Sequence, residues 1–258
     1  MPALPAAFLG PPIAHRALHD RAAGRPENSA AAVRAAVAAG YGIEIDIQPS
    51  ADGVPMVFHD YDLQRLTGRP GRIGDLTAAA LARTPLLGGG GAGVPTLAEV
   101  LTIVAGRVAL LIEIKDQDGA MGPGVGPLER AVAGVLAGYA GPVAVMSFNP
   151  HSVAAMARAA PDLPRGLTTW GWDEAEAAED GVGPEECARL RAIPDYDRVG
   201  ASFISHHHLD LGRPRVADLK AAGAAVLCWT IRSPAEEAAA RRVAQNVTFE
   251  GYAAALPA

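Results

Sequence analysis

Residues Tyr41–Leu63 read YGIEIDIQPSADGVPMVFHDYDL, and the fold can be worked out from this stretch. From Gly42 to Ile47 apolar and charged residues alternate. Strand side chains point to opposite faces in turn, so Glu44 and Asp46 share one face while Ile43, Ile45 and Ile47 share the other. The Ile, Val and Phe residues around them mark a buried strand, where adjacent carboxylates repel and are best accounted for by a bound cation. A second apolar strand, Val54 to Phe58, then delivers His59-Asp60 at its end. Carboxylates on one strand with a histidine at the tip of the next point to a metal site with an acid/base group beside it.

Outward from this unit, short β-branched runs alternate with Ala-rich helical runs. Strands are expected at Ala6–Ala14, which ends in His15-Arg16-Ala17, and then at Gly42–Gln48, Pro55–His59, Val108–Lys115, Val143–Phe148, Gly166–Thr169, Ala201–Ser205 and Ala225–Ile231. Asn246–Phe249 is a further short strand with no assigned place. A helix over Ala30–Ala39 takes Asn28 or Ser29 as its N-cap and closes at Gly40, and Thr96 with Glu99 forms a capping box for another. A loop and helix are expected over Asp62–Arg83, and helices at Leu128–Tyr139, Pro150–Ala160, Pro184–Ile193, Arg213–Ala222 and Pro234–Ala244. The segment between the second and third strands is too short for a crossover helix, so this connection departs from a regular βαβ unit.

Strand alternating with helix about eight times over about 250 residues reads as an α/β protein, a (β/α)8 TIM barrel. The competing architecture is a doubly wound open sheet. His15, Glu44, Asp46, His59, Glu113, Lys115 and Trp229 fall in or at the carboxyl ends of separate strands, which a barrel gathers at one mouth and an open sheet spreads along an edge. No glycine-rich dinucleotide fingerprint follows the first strand, where Gly10 stands alone.

The 258 residues fit one domain, residues 1–258. A formal charge of -6 with no basic run argues against a nucleic-acid partner. Cys187 and Cys228 lie far apart with no partner motif, which fits a reducing compartment. Residues 1–14 lack a basic start, and no apolar run approaches the ~18 residues needed to span a bilayer. Neither a signal peptide nor membrane insertion is expected, and the chain is placed in the cytoplasm. The richness in Ala, Gly and Arg resembles the usage of a GC-rich bacterial genome. The oligomeric state stays open.

Glu113 and Lys115 repeat the same-face pattern of the second strand. They form either a structural pair inside the barrel, or a third oxygen ligand beside a cation held for an anionic group. Three carboxylates with no nearby cysteine favour a hard divalent cation, Mg2+ or Ca2+, over thiolate-bound zinc. His15 and His59 would supply one proton acceptor and one donor near neutral pH, and Arg16 a planar fork for a phosphate or carboxylate. His206-His207-His208 is either a metal cluster, with His206 and His208 on one face, or a rim from which only one ring reaches the mouth. Asp60 holds His59 or caps the next helix. Trp229 belongs to the core or to the wall of a ligand cleft, and His19 and Asp20 are expected in solvent.

Taken in order, His15-Arg16, Pro26-Glu27-Asn28-Ser29, Ile43-Glu44-Ile45-Asp46, Asp52-Gly53, Val57-Phe58-His59-Asp60, Ile112-Glu113-Ile114-Lys115, Ser147-Phe148-Asn149 and Trp229-Thr230-Ile231 resemble the glycerophosphodiester phosphodiesterase family. The resemblance spans His15 to Ile231. It implies a metal-dependent TIM barrel that hydrolyses a small-molecule glycerophosphodiester to glycerol 3-phosphate and an alcohol. Glu44, Asp46 and Glu113 match the family's metal ligands, His15 and His59 its acid/base histidines, and Arg16 and Lys115 its phosphate-binding cations. Trp229 falls in the family's Trp-Thr-Val motif, where substrate is held. In the family a neighbouring glycerol hydroxyl is the expected nucleophile, giving a cyclic phosphate that water opens. His15 is expected to be the base and His59 the acid.

The chain also departs from the family pattern. Ala17 stands where the family's His-Arg-Gly has glycine, and the loop Leu18–Arg25 is longer. Arg232 replaces the Asn after Trp-Thr-Val, and Val247-Thr248-Phe249-Glu250-Gly251 replaces a Thr-Asp-Pro-like strand. Two other classes remain compatible with the residues: a metal-dependent sugar isomerase or aldolase on the same barrel, and a non-catalytic phosphodiester-binding protein.

Overall fold

A computed structural model describes residues 2–179 and 181–257. Among these residues the strands are β1 (Ile13–Ala14), β2 (Gly42–Pro49), β3 (Pro55–Val57), β4 (Leu110–Ile114), β5 (Val143–Ser147), β6 (Arg165–Thr169), β7 (Phe203–His207), β8 (Ala225–Ile231) and β9 (Asn246–Phe249). The helices are α1 (Ala30–Ala39), α2 (Gln64–Thr67), α3 (Ala78–Leu81), α4 (Leu97–Val104), α5 (Pro127–Leu136), α6 (Pro150–Ala159), α7 (Glu174–Glu179), α8 (Pro184–Arg191), α9 (Pro214–Ala221) and α10 (Pro234–Ala240). Parallel strands run in the order β1-β9-β8-β7-β6-β5-β4-β2, and β2 pairs back onto β1, closing the expected (β/α)8 barrel. Ile13 lies opposite Gly42 on one side and Thr248 on the other.

Several strand expectations change. Pro55–His59 is not a barrel stave, because β3 runs antiparallel to β2, with Gln48 opposite Met56. A short link permits only that direction, since a parallel partner needs a crossover of a dozen or so residues. Gly53 turns the chain there at φ 76, a left-handed conformation that glycine adopts without a Cβ clash. The missing stave is β9, the run that had no assigned place. Ala6–Ala14 is not one strand either: Ala6–Phe8 is a 3-10 turn and only Ile13–Ala14 pairs. Pro11 and Pro12 bring no N–H to a ladder.

The turn at Ala6–Phe8 carries Phe8 into the barrel floor, where it packs, fully buried, with Ile13, Leu111, Ala144, Phe203 and Leu227. Outside the barrel, Ile43, Ile45 and Ile47 share a core with Val33 and Ala36 of α1 and Val100 of α4. Burying each isoleucine contributes about 1.5–3 kcal/mol. Helix starts follow the sequence signals: Ser29 Oγ accepts from the Ala32 N–H at 3.1 Å, and Thr96 and Glu99 exchange capping bonds. Met56 and Phe58 form a separate small core with Leu63, Leu66, Ile73 and Leu81, so the segment after β3 packs on its own hairpin. No helix among the described residues is long and apolar enough to cross a membrane.

Candidate active site

Above the apolar floor the inward positions turn polar. β2 presents Glu44, Asp46 and Gln48 and β4 presents Glu113, with Asp46 opposite Glu113 in the ladder and Lys115 one residue past the end of β4. Glu44, Asp46 and Glu113 are buried, and each can offer an oxygen within 4.8 Å of the others. Lys115 Nζ lies 2.6 Å from Glu113 and 3.0 Å from Asp46. Arg16 donates its backbone N–H to Glu44 at 2.8 Å, and its Nε, 3.7 Å from Asp46, is buried without a hydrogen-bond partner.

Three carboxylates against two cations leave one negative charge in excess. Burial pushes the Glu44 carboxyl well above its ordinary range, and the charges of Asp46 and Glu113 push it further. For Asp46 burial acts in the same direction, but Lys115, His59 and Arg16 outweigh it and hold that carboxyl well below the usual range. Burial opposes the charge on Lys115, while Asp46 and Glu113 more than offset it and raise its pKa. An all-carboxylate donor set fits a hard divalent cation, whose charge would relieve the repulsion among its three members.

Asn28 braces this cluster. Its Nδ2 donates to Asp46 Oδ2 at 2.8 Å and its Oδ1 accepts from the Asp46 N–H at 3.2 Å. Its φ of 56 is one that Asn tolerates better than most residues. Sequence reasoning offered Asn28 only as a helix cap, a role that Ser29 takes.

Both predicted histidines reach the mouth, each backed by a carboxylate. His15 Nδ1 lies 2.7 Å from Glu250 Oε2, and His59 Nδ1 lies 2.7 Å from Asp60 Oδ1. Arg65 ties Asp60 to Glu27, and Glu27 in turn accepts from Arg16 at 2.7 Å. Asp60 therefore holds His59 rather than capping a helix. His19, expected in solvent, instead turns its Nε2 to Glu250 at 3.4 Å, whereas Asp20 stays exposed. Sequence reasoning gave no role to Glu250, Glu27 or Arg65. Glu250 is marked in the sequence by its place after a strand of unassigned position and within the stretch that replaces the family's Thr-Asp-Pro-like strand.

The opposite half of the mouth is aromatic. Trp229 Nε1 donates to the Ser205 carbonyl at 2.9 Å, and its ring meets Phe148 at 5.5 Å and His207 at 5.0 Å. Trp229 is half-buried among these rings. β7 runs on to His207 rather than ending at Ser205, which carries the strand alternation through the histidine run. His207 points inward, while His206 points outward, with Nδ1 2.7 Å from Thr169 Oγ1. His208 opens a 3-10 turn. Among the described residues these three join no group of ligands close enough to hold a metal ion. Beside His207 an open cleft of about 460 Å3 is lined by Trp170, Asp173, Arg191 and Arg213.

The Glycerophosphoryl diester phosphodiesterase family model matches residues 15–248. This chain belongs to that family. Its similarity to glycerophosphodiester phosphodiesterase 1 of Bos taurus is 45% identity over 67 residues, 25% of this chain and only 19% of the length of that protein. With the Bacillus subtilis relative YhdW it shares 26% identity over 246 residues, 91% of this chain and 90% of the relative. An Oleispira antarctica phosphodiesterase, solved in complex with the product sn-glycerol-3-phosphate, superposes with a TM-score of 0.74 at 25% identity, covering 95% of this chain and 94% of that one. The family's His-Arg-Gly glycine has a physical reason here, since Arg16 and Ala17 have φ 49 and 64. An L residue in the left-handed region costs about 1–2 kcal/mol. The bonds from the Arg16 N–H to Glu44 Oε2 and from the Ala17 N–H to the Glu44 carbonyl, at 2.8 and 2.9 Å, hold the bend in place.

Proposed function

We propose that the chain hydrolyses glycerophosphodiesters to glycerol 3-phosphate and an alcohol, with Glu44, Asp46 and Glu113 holding a divalent cation, Mg2+ or Ca2+. The observation that carries this reading is one mouth containing three buried carboxylates within 4.8 Å of one another and two carboxylate-backed imidazoles. Family membership and the glycerol 3-phosphate bound to the Oleispira antarctica relative support it. The cation would neutralise negative charge on the phosphoryl oxygens.

The protein groups divide the remaining work. Arg16 Nε, buried and unpartnered, and Lys115 Nζ donate to phosphoryl oxygens and orient the diester. His15 takes the proton from the glycerol hydroxyl next to the phosphoester, which attacks phosphorus to give a cyclic phosphate. His59 protonates the departing alcohol, and the two rings reverse roles when water opens the ring. Phe148, His207 and Trp229 pack against the carbon portion of the substrate and exclude water. On this reading residues 1–258 act as one catalytic domain in the cytoplasm, in lipid breakdown.

The test is release of glycerol 3-phosphate from a panel of glycerophosphodiesters, with and without a chelator. Turnover lost in chelator and restored by Mg2+ or Ca2+ is expected. Chelator-insensitive turnover would remove the metal from the reading, and no turnover on any diester would remove the reading itself.

A further inference from the structure

Glu250 follows β9 and gathers three partners, His15 and His19 from the segment after β1 and Arg232 from the end of β8. Oε2 lies 2.7 Å from His15 Nδ1 and 3.4 Å from His19 Nε2, and Oε1 accepts from Arg232 at 2.8 Å. An ionised carboxylate only accepts hydrogen bonds, so the proton between Glu250 and His15 belongs to Nδ1, and the neutral ring keeps Nε2 bare. The guanidinium on Oε1 limits rotation of the carboxylate and so fixes Oε2 against the ring. His59 has an analogous arrangement with Asp60 and Arg65, but its carboxylate is the next residue in the chain. Glu250 is 235 residues from His15 and meets it only because β9 closes the barrel against β1.

We infer that Glu250, anchored by Arg232, is the positioning residue that holds His15 as the Nδ1–H tautomer and aims its Nε2 at the substrate. The catalytic part of this inference rests on the proposed phosphodiester hydrolysis, whereas the tautomer does not. The charged groups facing His15 are Glu250 from the end of β9, Arg16 beside it and Asp46 from β2. His19 shares the same oxygen of Glu250. Of these, Glu250 is the one hydrogen-bonded to Nδ1 among the described residues.

The experiment compares the intact protein with Glu250→Gln, Glu250→Asp and Arg232→Met. Its readouts are 15N NMR of labelled imidazole rings and kcat and KM for glycerol 3-phosphate release with a divalent cation present. In the wild type, His15 is expected to show a protonated Nδ1 and a bare Nε2. In Glu250→Gln that signal should move toward a mixture of tautomers, with kcat down about 10–100-fold and KM within about threefold. Glu250→Asp should restore the wild-type tautomer and part of kcat, and Arg232→Met should lie between Glu250→Gln and the wild type. An unchanged His15 tautomer or an unchanged kcat in Glu250→Gln would overturn the inference. Should Glu250→Gln fail to fold, Arg232→Met decides by the same two readouts, its side chain being 60% exposed. If the wild type hydrolyses no diester, the proposed function fails, while the tautomer measurement still decides whether Glu250 positions His15.

Discussion

Replacing Glu44 with Gln should stabilise the metal-free protein and remove its response to divalent cations. Glu44, Asp46 and Glu113 offer oxygens within 4.8 Å of one another. At an effective dielectric constant of about 20, two like charges at that separation repel by about 3.5 kcal/mol. Burial, then the charges of Asp46 and Glu113, raise the Glu44 pKa above its ordinary value of 4.5 in the same sense. The sign follows from linkage: a group whose folded pKa is raised leaves stability intact in acid and removes it as pH climbs above about 4.5. The Arg16 N–H loses part of its acceptor strength when the carboxylate becomes an amide, so a net gain of about 2 kcal/mol is expected, or about 4–8 °C in Tm.

Thermal melts in chelator at pH 5 and pH 7 test this, because the advantage of Glu44→Gln should be smaller at pH 5 than at pH 7. With Mg2+ or Ca2+ at about a hundredfold over Kd, the wild type gains about 2.7 kcal/mol and the variant little, so their order reverses. A variant no more stable than the wild type in chelator, or one that keeps the full cation shift, would refute the reasoning.

Three further outcomes are expected. His59→Ala should lower kcat by about 10^2–10^4-fold with Tm nearly unchanged, since its side chain is 30% exposed, as read from glycerol 3-phosphate release and a melt. His206, buried behind β7, has its pKa lowered to about 4, chiefly by burial and against the pull of Asp210. Its stability contribution is therefore present above pH 6.5 and lost as pH falls from 6.5 toward 4, about 2 kcal/mol by pH 5. Stability curves of His206→Asn should lack that share of the acid loss. Neither Cys187 nor Cys228 should react with a thiol reagent in the folded protein, because both are buried and burial pushes Cys228 up to about 12. Reaction on the timescale of the unfolded control would contradict this.

Strict alternation from Gly42 to Ile47 placed Glu44 and Asp46 on one face and the isoleucines on the other without any knowledge of partners. The caps at Ser29 and Thr96 and the barrel class were readable for the same reason: strand period, capping and strand–helix rhythm are set by residues a few positions apart. Other features depended on which distant segments meet. β3 folds back on β2 instead of joining the barrel, and β9 supplies the closing stave. Continuation of β7 to His207 turns His207 into the mouth and His206 out of it. Of the two candidate caps Ser29 takes the helix and Asn28 braces Asp46. Glu250 gains a role only because closure sets it beside a ring 235 residues away. Local sequence determined where the acidic face and the imidazoles would lie along the chain. Barrel closure decided which carboxylate backs His15, because that pairing depends on strand order and register, which no short stretch of residues encodes.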